Sequence, residues 1–441
     1  MSPAPGRPWR RAFAWLLFLA PFFFVTYGLA NWTAAQRAAV PSLAFTWERA
    51  IPFWAWTIVP YWSIDALYGL SLFVCTSRRE LDTHAKRMLT AQLVAVACFV
   101  AVPYRYSFDR PGADGAFGLM FDALLGFDLP YNQIPSLHIA LAVILWVLYA
   151  RKTRGVAHAL MTLWFLLIGA SVLTTYQHHF VDIPTGFALG WLCVWLWPFA
   201  EPGIHTPAAA WRAATALPRH RLALLYAGAA LLFVVVAVAA GGAALWLGWP
   251  ALSLAIVAAC YAGLGPAGFQ KGADGRLRPA ARWLLAPYLA GAWLNSRWWT
   301  RRHPAPVAIG DGVWIGRVPA TRDAELARFT GIVDLTAEFD VAPGPRMLAV
   351  VPILDLTAPT PATLAEAAAA IERLRARGPV LVCCALGLSR SACAAAAWLL
   401  ATRRAATVDA ALARVRAAQA RVVLGDGHRK SLHAMRLPSP S

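Results

Sequence analysis

His178 and Asp182 stand four residues apart in the stretch Ser171–Gly186, between two long apolar runs. On a helical backbone that spacing puts both on one face. A carboxylate on the far nitrogen of an imidazole fixes its tautomer and stabilises its charged form, which suits a histidine acting as nucleophile or base. Placing an ionisable group within a bilayer costs roughly 2.5–3.5 kcal/mol on insertion scales, so such residues point to function. An interfacial histidine pair that only caps a helix is the structural alternative. Of the two histidines, the four-residue spacing to Asp182 belongs to His178; His179 reads as packing or headgroup contact.

A second polar cluster occupies the loop Pro103–Ser136, with Arg105, Arg110 and the run Pro135-Ser136-Leu137-His138. Pro135 and Ser136 open the next apolar run. Proline suits a first helical turn, and the free amides there favour an anion. An arginine, a helix N-terminus, a histidine and a His–Asp pair would together make a phosphate site with a nucleophile and an acid.

Near the C-terminus, VLVCCALGLSRSA (380–392) runs from a strand pattern into a helix pattern. Five residues separate Cys384 from Arg390, with Gly387 between them and Ser391 after. A loop of backbone amides at a helix N-terminus forms an anion-binding nest, and the same positive field favours a thiolate. An arginine at its end can grip two phosphoryl oxygens, and glycine lets the backbone turn tightly.

These groups need elements to hold them. The 441 residues are 59% hydrophobic, 14% charged and include 21 tryptophans, with mean hydropathy +0.52. That is the profile of a polytopic membrane protein with aromatic anchors. The formal charge of +18 falls mostly in short loops between apolar runs, which is the positive-inside pattern and argues against a nucleic-acid partner. Seven cysteines (Cys75, Cys98, Cys193, Cys260, Cys383, Cys384, Cys393) form no disulfide framework, which places the soluble ones in a reducing compartment.

Spanning runs are expected at about 12–30, 52–75, 88–104, 137–150, 156–175, 184–200, 221–247 and 249–268. The first, preceded by Arg7, Arg10 and Arg11, reads as a retained helix rather than a cleaved signal. Basic loops alternate, placing the N-terminus and everything after about residue 270 in the cytoplasm, and 31–51, 105–136 and 176–183 outside. Residues 280–299, interrupted by Arg282 and Pro287, read as an interfacial amphipathic helix. After the connector RRHPAP, strand-like VWIGRV, GIVDLT, MLAVVPI and VLVCC alternate with helical runs at 362–377, 391–404 and 407–420, an α/β pattern. The domains expected are 1–203, a transmembrane domain; 204–304, additional transmembrane helices and an interfacial linker; and 305–441, a cytoplasmic α/β domain.

PSLH followed by HHFVD resembles the type 2 phosphatidic acid phosphatase superfamily, in particular its inositol phosphorylceramide synthase-like branch, over roughly residues 50–200. The resemblance implies a six-helix core, here with about two extra spans, and a phosphohistidine mechanism with no metal and no cofactor. In that mechanism His178 attacks phosphorus, Asp182 orients it, His138 protonates the leaving oxygen, and Arg110, Ser136 and Ser171 hold the phosphoryl oxygens. The family's lysine seven residues before its Arg–Pro is replaced by Pro103, so Arg105 is the substitute, and Val172 stands where an arginine commonly follows the serine. The segment around Cys384 resembles the dual-specificity branch of the cysteine-dependent phosphatases, over roughly 305–441. This implies a phosphocysteine on Cys384, phosphate held by Arg390 and the Gly387 loop, Ser391 assisting the thiolate, and an upstream aspartate as acid. Asp355 in PILDLTAP is the match and Asp340 the runner-up. Cys383 replaces the usual histidine, which bears on the Cys384 thiol or on a disulfide between the neighbours.

The function expected is therefore a bifunctional, multi-pass phosphatase of a bacterial-type inner membrane. Its outward site would act on a lipid phosphate, and its cytoplasmic site on a phosphorylated lipid or protein. Two alternatives are a phospholipid headgroup transferase with an accessory phosphatase domain, and a phosphate-sensing module with an inactive soluble domain.

Overall fold

The computed structural model describes residues 6–126, 128–202, 204–213, 219–320 and 324–435. Residues 1–5 and 436–441, which the domain expectations include, lie outside the described residues. The chain divides into two compact units, Met1–Ala200 and Glu201–Ser441. Residues 204–304 thus share a unit with the C-terminal α/β domain.

The first unit is helical: α1 Trp9–Ala35, α2 Ile58–Val74, α3 Arg78–Ala101, α4 Gly115–Leu125, α5 Leu137–Lys152, α6 Gly155–Thr174 and α7 Asp182–Leu196. Ser77 caps α3 by accepting from the Glu80 amide, while the Glu80 carboxylate returns to the Thr76 amide. Of the expected spans, those at α1, α2 and α6 are long and apolar enough to cross a membrane by length and composition. Helices α5 and α7, at 16 and 15 residues, are shorter, and α3 begins with a charged half. Helix α5 is buried at ten of its 16 positions, as befits the central helix of a bundle. Helix α4 was unexpected, an apolar helix inside what reads as an outward loop.

What fixes α5 against α7 is missing side-chain volume. A Cβ on Gly186 would sit 2.4 Å from the Ser136 carbonyl oxygen and 2.9 Å from Ile139 Cβ, and one on Gly190 would sit 2.7 Å from Val143 Cβ. Small residues four apart let two helix backbones approach closely. This contact brings the start of α5, with Ser136 and His138, against the start of α7, with Asp182.

In the second unit α8 (Pro207–Ala213) precedes a hairpin of α9 (His220–Ala240) and α10 (Gly248–Ala259). Within that hairpin, His220–Ala240 and Gly242–Phe269 are long and apolar enough to span. The seventh expected run ends at Ala240 rather than 247, because Gly241 and Gly242 break the helix and a 3-10 turn follows. Helix α11 (Pro279–Thr300) confirms a helix where an interfacial one is expected. Its buried side is Ala281, Leu284, Leu285, Ser296 and Thr300, and its exposed side carries Trp283, Trp293, Trp298 and Trp299.

Among the described residues five strands follow: β1 Val307–Gly310, β2 Val313–Arg317, β3 Gly331–Thr336, β4 Met347–Ile353 and β5 Val380–Cys384. They form one sheet in the order β1-β2-β5-β3-β4, with β1 antiparallel and the rest parallel. Helices α12 (Pro361–Arg375), α13 (Arg390–Ala401) and α14 (Val408–Ala418) cover one face, and α15 (Asp426–His433) packs beside them. The other face is closed by Phe329, Phe339 and Val341 with Ala292 of α11. The central strand β5 is buried at every position, as a parallel strand covered on both sides must be.

Candidate active sites

In the helical unit, His178 follows the end of α6 and Asp182 opens α7. His178 Nδ1 lies 3.0 Å from Asp182 Oδ2, so the ring donates there and keeps its Nε2 lone pair. That Nε2 is 3.2 Å from Ser136 Oγ, which also accepts from the Ile139 amide as the cap of α5. Ser136 is thus the cap itself, and Pro135 lies before the helix rather than in its first turn. His138 stacks on Tyr61 at 4.2 Å, and its buried Nε2 has no hydrogen-bond partner. His138 and His178 line one small cavity with Asp65 and Asp128. His178 also borders a cavity of about 210 Å³ that Arg110 lines. The Arg110 guanidinium lies 4.7 Å over the Phe121 ring.

Three expectations change here. Ser171 is fully buried and donates to the Ile168 carbonyl at 2.6 Å, as a serine inside a helix does, and it does not line the cavity beside His178. Arg105 is exposed and absent from that lining, so of the two arginines it is Arg110 that shares the cavity with His178. His179 takes the packing half of its expected role, stacked on Tyr106 at 4.4 Å, and makes no headgroup contact. Its Nδ1 donates to Glu48 at 2.9 Å and its Nε2 accepts from the Ser107 amide at 3.2 Å, while Glu48 also takes the amides of Phe45 and Phe180. It is a buried clasp between segments far apart in sequence.

In the α/β unit, β5 delivers Cys384 and α13 begins at Arg390, so the six-residue step between them is a tight loop at a helix N-terminus. Cys384 Sγ accepts from the Gly387 amide at 3.2 Å and lies 3.3 Å from Ser391 Oγ. Gly387 has φ +75°, and a Cβ there would fall 2.5 Å from the Gly316 carbonyl carbon, so β2 leaves room for glycine alone. Strand alternation turns Cys383 to the opposite face from Cys384, among Ile332, Phe339 and Val341. Both are free thiols, and side chains on opposite faces of a strand do not bridge. Burial, with the Asp334 carboxylate nearby, pushes the Cys383 thiol well above its ordinary value. It stays a neutral thiol.

Arg390 is almost wholly occupied. It donates through Nη1 to Glu338 Oε2 (3.0 Å) and the Ile353 carbonyl (2.8 Å), and through Nη2 to Glu338 Oε1 (2.6 Å). Nη2 also pairs with Asp355 Oδ1 at 3.1 Å. The buried Nε has no partner. Burial alone would raise the Glu338 carboxyl, but the two-pronged guanidinium overrides it and holds Glu338 below the usual range. Asp340 is occupied elsewhere, accepting from the Leu277 amide at 2.7 Å and from Arg282 at 2.5 Å. Of the two candidate aspartates, Asp355 is therefore the one at the site.

With this geometry in view, the comparisons are specific to one region. Residues 321–436 match the family model of the dual specificity phosphatase catalytic domain. That part of the chain is a phosphoric monoester hydrolase domain. Solved structures similar to the chain include Tk-PTP in its active form, at 28% identity over 30% of this chain and 95% of that one, TM-score 0.28. Human DUSP28 follows at 25% identity, 29% and 92%, TM-score 0.27. PTPMT1 in complex with PI(5)P stands at 17% identity, 28% and 89%, TM-score 0.26. No curated protein matches the chain.

Sequence reasoning missed Glu338, Lys271, Glu48 and Ser107. Glu338 had a signal: an arginine buried beside a thiol needs a counter-ion, and Glu338 follows β3 directly. Lys271 reads as one more basic loop residue, yet it is buried and bonded to Asp334 and to the Thr336 carbonyl and hydroxyl.

Proposed function

We propose that the chain is a bifunctional membrane phosphatase, multi-pass in a bacterial-type inner membrane, with its N-terminus and phosphatase domain in the cytoplasm. In the phosphatase domain, the Cys384 thiolate attacks phosphorus, the bond from phosphorus to the leaving oxygen breaks, and Asp355 gives that oxygen its proton. Water then attacks the phosphocysteine, its proton returns to Asp355, and the sulfur leaves as thiolate steadied by Ser391. The observation that carries this is Arg390, whose four Nη hydrogens face Glu338, Ile353 and Asp355 while its buried Nε–H is unmet. A phosphate supplies the missing acceptor, and by taking Nη2 it frees Asp355 to act as acid. Glu338 keeps its grip throughout.

In the helical unit, the same reading gives His178 Nε2 as nucleophile, Asp182 as its orienting carboxylate, and His138, sharing a cavity with it, as the proton donor. Ser136 and Arg110 are the anion ligands, and the substrate is a lipid phosphate. The support is the His178 tautomer, set by Asp182, together with the Arg110-lined cavity on which it opens.

Phosphate release by purified full-length protein, wild type against His178→Ala and Cys384→Ser, tests the proposal. Cys384→Ser should abolish hydrolysis of p-nitrophenyl phosphate that His178→Ala leaves intact. A phosphatidate hydrolysis lost only in His178→Ala would mark the second site. Undiminished activity of both variants on every monoester sinks the idea.

A further inference from the structure

The helical hairpin is fastened to the reacting parts of the phosphatase domain. Tyr261, two residues past the end of α10, donates its hydroxyl to the Asp355 carbonyl at 3.0 Å, so the acid-bearing loop is held by the hairpin. Tyr261 stacks on Tyr226 of α9 with centroids 5.4 Å apart, and Tyr226 meets Tyr288 of α11 edge-on at 5.9 Å. Ser296 of α11 donates to the carbonyl of Ala385, the first residue of the phosphate loop, at 2.6 Å. Lys271, just beyond the hairpin, is locked into β3 through Asp334 and Thr336. The loop and its acid are thus built onto the helices rather than tethered to them.

Those helices are apolar outward. Leu224 is 72% exposed, Leu225, Leu231 and Leu232 nearly as much, and Trp298 and Trp299 project from the outer face of α11. Leucines around the hairpin with tryptophans and arginines beside it make a lipid-facing surface with an aromatic belt. Helix α9 has 21 residues, about 31 Å at 1.5 Å per residue, which matches a hydrocarbon core of about 30 Å. Tyr226 lies six residues, about 9 Å, inside the α9 start. The tyrosine layer beneath Asp355 therefore lies within about 9 Å of the hydrocarbon edge.

The mouth of the site agrees. Leu356, next to Asp355, is 68% exposed and takes φ +57°, a conformation a leucine keeps only where its surroundings impose it. Val423 is 65% exposed, and its amide donates to the Leu388 carbonyl of the phosphate loop. Two outward apolar side chains flank the site, and the loop from Ala385 to Ser389 carries no charge. A peptide crossing this rim would bury its polar backbone against leucine and valine, whereas an acyl or prenyl chain would not.

From this juxtaposition we infer that the phosphocysteine site takes a long-chain lipid phosphate monoester resident in the bilayer, cleaving its phosphate ester to leave the lipid alcohol and inorganic phosphate. The inference rests on the phosphocysteine reading above. The test uses full-length His178→Ala protein, which silences the other proposed site, reconstituted in phosphatidylcholine vesicles. Phosphate release is measured from vesicle-borne phosphatidate, a phosphatidylinositol monophosphate and a polyprenyl phosphate, each beside its short-chain soluble counterpart. A phosphotyrosine peptide and p-nitrophenyl phosphate complete the set. At least one vesicle-borne lipid should exceed its short-chain form and the peptide about 100-fold in kcat/KM, the gain expected when substrate and site share a surface. That activity should vanish with Cys384→Ser, and Leu356→Glu should lower the ratio of lipid to p-nitrophenyl phosphate turnover about tenfold. If p-nitrophenyl phosphate is hydrolysed in a Cys384-dependent way but the peptide is preferred, or no lipid gains from the bilayer, the lipid inference alone fails. If no substrate shows Cys384-dependent hydrolysis, the phosphocysteine reading fails and the inference with it.

Discussion

In the phosphatase domain the cation is caged: Arg390 is buried, clamped by both oxygens of Glu338 and paired with Asp355. In the helical unit Arg110, which lines a cavity with His178, is half-buried and rests on the Phe121 ring. There the cage surrounds imidazoles instead, Asp182 on His178 and Glu48 on His179. A thiolate needs fixed positive charge around it, so that site invests its buried ion pairs in the arginine. A neutral imidazole nucleophile needs one nitrogen protonated and the other bare, so the carboxylate goes to the histidine. The two sites would therefore fail in different ways when a carboxylate is removed.

The largest effect expected is from Glu338→Ala. It leaves the Arg390 charge buried without its main partner, which costs about 3–5 kcal/mol. Chemical unfolding of the α/β unit, followed by tryptophan fluorescence, should show a loss of that size. Asp182→Ala, which strands only an imidazole able to stay neutral, should cost less. Equal losses would erase the contrast between the two cages.

Next comes Asp355→Asn. General acids contribute about 10²–10⁴-fold, and the contribution depends on how badly the leaving oxygen needs a proton. Steady-state kinetics should show kcat falling about 100-fold or more on an alkyl phosphate but far less on p-nitrophenyl phosphate, whose phenolate leaves unaided. A uniform fall on both substrates would make Asp355 an Arg390 partner only. Smaller again is Gly186→Ala. Its methyl would meet the Ser136 carbonyl, so α5 and α7 must part, at about 2–3 kcal/mol for an overpacked contact. The His178-dependent activity should drop, while Cys384-dependent turnover of p-nitrophenyl phosphate holds. Loss of both together would show that the units do not act independently.

How far each site could be read from sequence follows from how its parts are strung along the chain. Cys384, Gly387, Arg390 and Ser391 share one loop and one helix start, so their spacing alone announces an anion cradle. Likewise β2 to β5 and their helices were legible because apolar runs alternate with amphipathic ones. Strand β1, four residues at an edge, and α15, polar but for Gly427 and the buried Leu432, carry no such pattern. Glu338 reaches Arg390 across 52 residues, and Glu48 reaches His179 across 131. Neither pairing exists until the fold brings the segments together. Lys271 shows the same limit from the other direction: a basic residue in a connector follows the positive-inside rule, and only the structure shows it buried under β3. Ser171 was misplaced because a motif position says nothing of rotamer, and a helical serine can spend its hydroxyl on the preceding turn.

The smallest effect separates the charge of Glu338 from its shape. Glu338→Gln keeps the side chain's size and one acceptor oxygen for Arg390 but removes the negative charge. Because Arg390 holds the folded carboxyl below its ordinary value of 4.5, the wild-type advantage is fully present above that value. It is lost as pH falls through the lower folded value. At neutral pH the wild type should be more stable than Glu338→Gln by about 1.5 kcal/mol, the low end for a hydrogen bond to a charged group. Unfolding free energies measured from pH 7 down to pH 3 should show that gap constant above about pH 5 and closing below it. A gap that stays open in acid would mean that Glu338 acts through packing, and the caged arginine would then owe its position to Ile353 and the loop backbone rather than to charge.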